Sequence, residues 1–343
     1  MISLPVLDTS PQRPNYALGP RSLESVRLLR LSVTDRCNLR CVYCMPDDGV
    51  PWMAKQDDLL RPADFEAVAR AATRIGVDHL KLTGGEPTIR RDIVEIAARL
   101  KALGVRDLSL TTNGLMLDRL ARPLRDAGVD RITLSLDSIR PDRYAEITHG
   151  GDLAQFWRGV AAAEDAGFTR IKVNTVVIAG MNDDEVADLA ALTVDRDWTV
   201  RFIEYMPLGD SVLTVGDPDA AIVDNEIIRA RIEAQLGALE PIERASEVGV
   251  GPAQVYRAPG ARGRIGFISA MSRPFCETCN RLRLTAIGEL RSCLFDGGEV
   301  DLMPALRPEP DIERLIHLFA RCVAMKPETH SHRGNRAMSQ LGG

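Results

Sequence analysis

The sequence predicts an α/β fold, in which an incomplete, TIM-like (β/α)6 barrel is followed by a smaller C-terminal domain. Three observations lead to this prediction. Six β-rich runs alternate with amphipathic helical stretches, which is the pattern of βαβ units and a parallel sheet. Four of the helical stretches end at a glycine, the residue favoured at a left-handed helix terminus. The alternation stops after Pro207, where the chain becomes irregular.

The individual elements follow from the same pattern. The six predicted strands are 28–33, 79–83, 107–112, 131–136, 170–177 and 199–205. Amphipathic helices are predicted at 62–74, 93–103, 117–126 and 153–166, and further helices at 225–236 and 312–325. A doubly wound sheet is the alternative fold, but it usually carries a glycine-rich phosphate loop after its first strand, where this chain has cysteines.

Length and composition divide the chain and exclude several classes of protein. With 343 residues, 45% of them hydrophobic, there is room for an N-terminal extension (1–21), the barrel (22–207) and a C-terminal domain (208–343). The net charge of −5 argues against broad nucleic-acid binding. Neither a secretory signal nor a run of about 18 apolar residues is visible, so we expect a cytoplasmic protein with no membrane partner.

Three cysteines lie just after the first predicted strand, at the spacing of metal ligands. Cys37, Cys41 and Cys44 form Cys-x-x-x-Cys-x-x-Cys, and a total of seven cysteines excludes a complete disulfide framework. Zinc would need a fourth ligand to close its tetrahedron. A 4Fe–4S cluster held by three cysteines keeps one iron open, at the end of the barrel where barrel enzymes carry out their chemistry.

A short motif after the second strand favours the iron–sulfur interpretation. In Gly84-Gly85-Glu86-Pro87, two glycines permit a ligand to approach the backbone closely, and Glu86 offers a carboxylate to an ammonium group. Together with Tyr43 and the cysteine triad, this motif resembles the S-adenosylmethionine site of the radical S-adenosylmethionine superfamily. The resemblance implies an open iron that binds the methionine part of the cofactor, whose reductive cleavage gives a 5′-deoxyadenosyl radical.

A second cysteine triad lies in the C-terminal region. Cys276, Cys279 and Cys293 are predicted to hold either a second three-cysteine iron–sulfur cluster or a structural zinc ion with Cys322 as fourth ligand. In the first case Cys322 is left as a core thiol. Two arginines follow, at alternate positions 281 and 283, so that an extended segment turns both guanidinium groups to one side. Such a pair beside a metal centre suits a polyphosphate.

From about Arg30 to its last residue the chain closely resembles one family of this superfamily, whose members act on GTP at the first step of molybdenum cofactor (molybdopterin) biosynthesis. The resemblance rests on the segments SVTDRCN (32–38), TGGEP (83–87), TTNG (111–114), SLDS (135–138), RFIEYMP (201–207), FCETCNRLR (275–283) and a terminal Gly-Gly. It implies a lyase in which the 5′-deoxyadenosyl radical takes the ribose 3′ hydrogen of GTP and (8S)-3′,8-cyclo-7,8-dihydroguanosine 5′-triphosphate is formed.

The resemblance also implies roles for particular residues. Two 4Fe–4S clusters are held by Cys37, Cys41 and Cys44 and by Cys276, Cys279 and Cys293. The S-adenosylmethionine contacts are Tyr43, Gly85, Glu86, Ser135, Asn174, Arg201 and Met206. The GTP contacts are Arg30, Lys81, Thr111, Lys172, Arg281, Leu282 and Arg283, and the tail residues Gly342 and Gly343 enter the active site.

The same resemblance implies partners, and two other functions stay open. The implied partners are a second copy of the chain in a homodimer, an electron donor such as flavodoxin or ferredoxin, and a downstream cyclic pyranopterin monophosphate synthase. The first alternative is another twin-cluster radical enzyme, for instance one that modifies a peptide. The second is a scaffold without catalysis that binds two zinc ions.

Overall fold

The computed structural model describes residues 21–45, 59–209, 213, 218–243, 249–296, 299–331, 334, 336 and 338–342. Residues 1–20 of the predicted extension and the tail residue Gly343 lie outside this set. No helix in the described part of the chain is both long and apolar enough to cross a membrane.

The six predicted strands are all present, and their bounds agree with the prediction to within two residues. They are β1 (Leu28–Ser32), β2 (His79–Thr83), β3 (Asp107–Thr112), β4 (Arg131–Ser135), β5 (Lys172–Val177) and β6 (Thr199–Glu204). The C-terminal region adds shorter strands, which are β7 (Glu240–Pro241), β8 (Gln254–Arg257), β9 (Arg264–Ile268), β10 (Arg281–Leu284), β11 (Glu289–Arg291) and β12 (Glu299–Asp301). The prediction of an α/β barrel-like sheet is thereby confirmed.

Helices connect the strands and cover one face of the sheet. In chain order they are α1 (Pro62–Arg74), α2 (Ile93–Lys101), α3 (Leu117–Asp126), α4 (Pro141–Thr148), α5 (Leu153–Asp165), α6 (Val186–Asp195), α7 (Asn225–Leu236), α8 (Met303–Leu306), α9 (Ile312–Ala324) and α10 (Met338–Leu341). Buried Phe65 and Val68 of α1 belong to the same apolar core as Leu29 and Leu31 of β1. The helices therefore bury the apolar face of the sheet.

The described strands form a single sheet, whose order is β12-β11-β10-β1-β2-β3-β4-β5-β6-β9-β8-β7. Two strands of the C-terminal region extend the parallel part, because β10 pairs with β1 and β9 pairs with β6, both in parallel. Strands β7, β8, β11 and β12 continue the sheet at its two edges in antiparallel pairs. The C-terminal region thus extends the barrel sheet at both sides. The domain boundary between residues 207 and 208 stays a prediction.

Side chains alternate along the strands, which separates the core from the site. Leu29 and Leu31 of β1 point to the helices, whereas Arg30 between them points to the other face. On that other face, residues of β1 to β6, β9 and β10 line one common cavity. The sheet is therefore curved around this cavity, and the unusually polar strand residues face its interior.

Candidate active site

The first cysteine set lies in the loop after β1, and its thiols are poorly solvated. Burial raises the pKa of Cys37 to about 11 and that of Cys44 to about 12. Burial also raises the pKa of Cys41, and the charges of Asp137 and of the neighbouring cysteines raise it further. A cationic centre stabilises thiolates in such a place. The donor set therefore fits a metal cluster.

The arrangement of these thiols is relevant to the choice between zinc and an iron–sulfur cluster. A single zinc ion needs its ligands gathered in one tetrahedron. In the ranges that the structure describes, no three His, Cys, Asp or Glu side chains are gathered in this way. A 4Fe–4S cluster instead takes each thiolate at a separate iron, and a set of three cysteines leaves its fourth iron open.

The Gly-Gly-Glu-Pro turn packs directly against the cysteine loop. The N–H of Gly85 donates to the carbonyl of Thr34 (2.7 Å), and the N–H of Glu86 donates to the carbonyl of Arg36 (2.8 Å). A Cβ atom at Gly85 would lie 2.1 Å from that Arg36 oxygen, so no other residue fits. Sequence analysis expects a ligand to approach these glycines. In the structure, the group that approaches them is the backbone of the cysteine loop itself.

Both carboxylate oxygens of Glu86 accept hydrogen bonds from the chain. Oε1 accepts from the N–H of Thr88 (3.0 Å) and the hydroxyl of Thr112 (2.7 Å), and Oε2 accepts from the N–H of Asn113 (2.7 Å). The side chain is 1% exposed, and burial raises its pKa. The contact of Glu86 with an ammonium group stays a prediction, and the observed donors Thr112 and Asn113 tie the turn to the end of β3. Glu86 thus fixes the position of the turn against the cysteine loop.

A carboxylate that sequence analysis did not single out lies beside the first cysteine set. Asp137, two residues past the end of β4, accepts the hydroxyl of Tyr43 at Oδ2 (2.7 Å) and the N–H of Val176 at Oδ1 (2.8 Å). Burial raises the pKa of Asp137 to about 6. The sequence signals for it are its place in the SLDS segment and its position just after a strand's carboxyl end.

Three of the expected cofactor contacts form one row across the sheet. Ser135 of β4 is paired with Asn174 of β5, which is paired with Arg201 of β6. Asn174, Arg201 and Met206 all line the cavity. The side-chain oxygen of Asn174 is buried and has no hydrogen-bond partner among the described residues, so it offers an acceptor to a ligand.

The cavity carries a high density of positive charge. Its lining includes seven cationic side chains, which are Arg30, Lys81, Arg131, Lys172, Arg201, Arg281 and Arg283. Asp107 is the only carboxylate among the described lining residues, and Arg131 binds both of its oxygens at 2.6 Å. Burial, followed by repulsion from the neighbouring cations, lowers the pKa of Lys81 and Arg30. A polyanion is the ligand that relieves this repulsion.

Two of the expected GTP contacts stand apart from this lining. Thr111 lies on β3, and its buried hydroxyl has no hydrogen-bond partner among the described residues, but the residue does not line the cavity. Leu282 alternates with Arg281 and Arg283 on β10, so its side chain points away and belongs to the apolar core. Any contact of Leu282 with a nucleotide in the cavity would therefore involve its backbone.

The second cysteine set opens directly into the cavity. Cys276, Cys279 and Cys293 all line it, and the Arg281 guanidinium lies 5.0 Å from the centre of the Phe275 ring. Although burial opposes it, the positive charges of Lys326 and Arg281 lower the pKa of Cys279 to about 7. Cys322 is fully buried in the apolar core instead, which agrees with a core thiol.

The C-terminal tail lies between the two cysteine sets. The carbonyl of Gly342 accepts from Arg283 (2.8 Å) and Arg30 (3.2 Å), and the N–H of Ser339 in α10 donates to the thiol of Cys44. A Cβ atom at Gly342 would lie 2.5 Å from the hydroxyl of Thr83, so the tail needs glycine there. Sequence analysis missed Arg131, which only its place on β4 beside Asp107 reveals.

Comparison with known proteins identifies two family models along the chain. Residues 31–193 match the Radical SAM superfamily, and residues 198–332 match Molybdenum Cofactor Synthesis C. A solved structure of Streptococcus suis SuiB bound to S-adenosylmethionine has a similar fold, with a TM-score of 0.57. It is 13% identical and covers 92% of this chain and 78% of its own, so the likeness concerns the fold alone.

Curated relatives match almost the whole chain. The GTP 3′,8-cyclase of Pelotomaculum thermopropionicum is 47% identical, with 93% of this chain and 98% of the relative covered. Those of Geobacter sulfurreducens and Moorella thermoacetica are 45% and 43% identical, each over 93% of this chain, with 97% and 98% of the relatives covered. The chain therefore belongs to the GTP 3′,8-cyclase family of the radical S-adenosylmethionine superfamily.

Proposed function

We propose that this chain converts GTP to (8S)-3′,8-cyclo-7,8-dihydroguanosine 5′-triphosphate, the first step of molybdenum cofactor biosynthesis. The observation that carries the proposal is the cavity that collects seven cations from six strands and opens onto the second cysteine set. Near-complete coverage of relatives named GTP 3′,8-cyclase supports it. The cofactors are S-adenosylmethionine and two 4Fe–4S clusters, each held by three cysteines.

The residues of the chain divide the work of binding and orientation. When bound, the first cluster and S-adenosylmethionine supply the abstraction of a hydrogen atom from the ribose of GTP. Arg283 and Arg281 of β10 and Arg30 of β1 are neighbours across the sheet and would bind the triphosphate, with Lys81 and Lys172 in the lining of the same cavity. Asn174 offers its free carbonyl to the cofactor. Fixing both molecules in one buried cavity aligns the reacting carbon atoms and excludes water.

The test is anaerobic reconstitution with iron, sulfide and a reductant, followed by S-adenosylmethionine and GTP. We expect 5′-deoxyadenosine together with a cyclised nucleotide, and neither product in the absence of the reductant. Formation of 5′-deoxyadenosine without any GTP-derived product would favour the peptide-modifying alternative. A colourless anaerobic preparation that contains zinc and no iron would contradict the proposal and favour the scaffold.

The partners follow from the proposed reaction. A one-electron donor such as flavodoxin or ferredoxin would reduce the first cluster, and a cyclic pyranopterin monophosphate synthase would consume the product. We also propose a homodimer. Gel filtration with light scattering tests the dimer, and replacement of the chemical reductant by each donor protein tests the electron source.

A further inference from the structure

Lys326 is a buried ammonium group in contact with the second cysteine set. It lies just after α9, is 3% exposed and has three acceptors for its three protons. Its Nζ donates to the carbonyl of Cys279 (3.0 Å), to the thiol sulfur of Cys279 (3.4 Å) and to the carbonyl of Arg281 (2.8 Å). An ammonium group placed in this way contacts both a cysteine of the second set and the start of the strand that carries Arg281 and Arg283.

The negative charge that matches Lys326 comes from the cysteine. A lysine is seldom buried without a negative partner, because desolvation of the ammonium is costly. Among the ion pairs of the described residues, none joins Lys326 to a carboxylate, and the sulfur of Cys279 is the only group of its three acceptors that can be charged. The burial of Lys326 thus makes sense when Cys279 is a thiolate, as it is in a cluster.

Residues next to Lys326 also contact the second cysteine set or its neighbours. The hydroxyl of Thr329 and the N–H of His330 donate to the thiol of Cys276. The hydroxyl of Ser292, next to Cys293, donates to the carbonyl of Met325 (3.3 Å). We call residues 325–330 the cysteine strap. It contacts two of the three cysteines and the neighbour of the third.

We propose that Lys326 is a positioning residue for the second cluster, which holds Cys279 in place and raises the reduction potential of the cluster. This inference rests on the proposed function, since it requires an iron–sulfur cluster on the second set. Reduction adds a negative charge to the cluster. A buried cation with an N–H···S hydrogen bond stabilises the reduced state more than the oxidised state, so the potential rises.

The experiment uses the full chain with both clusters, in a redox titration followed by electron paramagnetic resonance. Cys276→Ser removes one of the two reduction waves and so identifies the wave of the second cluster. Lys326→Met removes the charge and the donors, Lys326→Gln keeps an N–H donor without charge, and Lys326→Arg keeps the charge. Lys101→Met is the matched control, because Lys101 on α2 pairs with Asp130 (2.7 Å) and touches neither cysteine set.

We expect Lys326→Met to lower the second wave only. At the wild-type midpoint, the ratio of reduced to oxidised cluster should fall about tenfold, which is about 59 mV for a one-electron couple. The midpoint potential of the first cluster should be unchanged in every Lys326 variant. In Lys326→Arg and Lys101→Met the potentials of both clusters should be unchanged. An unmoved second wave in Lys326→Met, or an equal shift of both waves, overturns the inference.

Two further outcomes are informative. Lys326→Met could lose the second cluster while Lys326→Gln keeps it. The potential of the second cluster is then measured in Lys326→Gln, and a value equal to that of the wild type overturns the inference. Absence of two waves from the wild-type chain after reconstitution would refute the proposed function rather than the role of Lys326. If Lys326 only supports the fold of the cysteine strap, its substitution would change how much iron the chain retains. The potential of the clusters that remain would then not change.

Discussion

The two cysteine sets have the same ligand number but different charged neighbours. Around the first set the charged neighbours include Asp137 and Glu86, which raise the pKa of the thiols in addition to the effect of burial. Around the second set they include Lys326 and Arg281, which bring the pKa of Cys279 down to about 7. The carboxylates thus act on the first triad together with one cation, Arg40, whereas the charges that act on Cys279 of the second triad are cations.

This difference matches two different tasks. Reductive cleavage of a sulfonium needs a cluster that gives up its electron readily, and neighbouring negative charge lowers a reduction potential. A cluster that binds a nucleotide triphosphate does not need to be a strong reductant, but it needs cations close by to accept the phosphates. The surroundings of the two sets thus support the proposed assignment of the cofactor to the first set and of the substrate to the second.

The largest effect is expected from removing a ligand of either set. Cys41→Ser should abolish both 5′-deoxyadenosine and nucleotide product, with a fall from about eight to about four irons per chain. Cys276→Ser should lose the same amount of iron and the cyclised nucleotide, yet retain some cleavage of S-adenosylmethionine. Cys322→Ala is the control, since this cysteine lies in the core, and it should keep both clusters. Normal cyclisation by Cys276→Ser would refute the substrate role of the second set.

The next effect concerns only the first set and comes from one methyl group. In Gly85→Ala the new carbon would lie 2.1 Å from the carbonyl of Arg36, so the cysteine loop must move. We expect cleavage of S-adenosylmethionine to fall about 100-fold, because a displacement of about 1 Å has that consequence for catalysis. The free energy of unfolding should fall by about 1–3 kcal/mol.

Gly104→Ala is the matched control for this substitution. Gly104 has φ +75° and no atom within 4 Å of its missing Cβ, so alanine there costs about 1–2 kcal/mol of backbone strain without any displacement of the site. Cleavage of S-adenosylmethionine should stay near wild type. Equal activity losses in the two variants would show that Gly85 matters for stability alone.

The sequence was sufficient to predict the strands and both cysteine sets, because these depend on local patterns. Short β-rich runs between helical stretches predicted β1 to β6, and ligand spacing identified the two triads. The pairing of β9 and β10 with the outer strands of the barrel was not predictable, since both strands join the sheet after long stretches of chain. Lys326 escaped notice for the same reason, because its contact with Cys279 spans 47 positions.

A smaller effect is expected for the phosphate side of the second set. Arg283 is buried, donates to the tail carbonyl of Gly342 and lies beside Arg281 in charge contact. Arg283→Ala should weaken GTP binding about 10- to 100-fold, the value of about 1.5–3 kcal/mol for a hydrogen bond to a charged group. Guanosine binding should change less, because guanosine lacks phosphate.

Isothermal titration with both ligands measures this difference on the reconstituted chain. Arg99→Ala is the control, since Arg99 pairs with Glu95 (2.8 Å) and Glu66 (3.0 Å) on the outer helices and should not affect either ligand. Equal losses for GTP and guanosine in Arg283→Ala would show that this arginine supports the tail or the fold rather than the triphosphate.

The smallest effect tests the charge of the first set. Asp137→Asn preserves an acceptor for the hydroxyl of Tyr43 while it removes the negative charge, so the potential of the first cluster should rise. The ratio of reduced to oxidised cluster should increase about threefold at the wild-type midpoint, less than for Lys326→Met because Asp137 donates no hydrogen bond to a sulfur, whereas Lys326 does. Asp130→Asn, which alters only the contacts of Asp130 with Lys101 and with the N–H of Leu108, should move neither wave. An unchanged or lower potential of the first cluster in Asp137→Asn would contradict this prediction. The contrast between the two sets would then concern the pKa values of their thiols and not the potentials of their clusters.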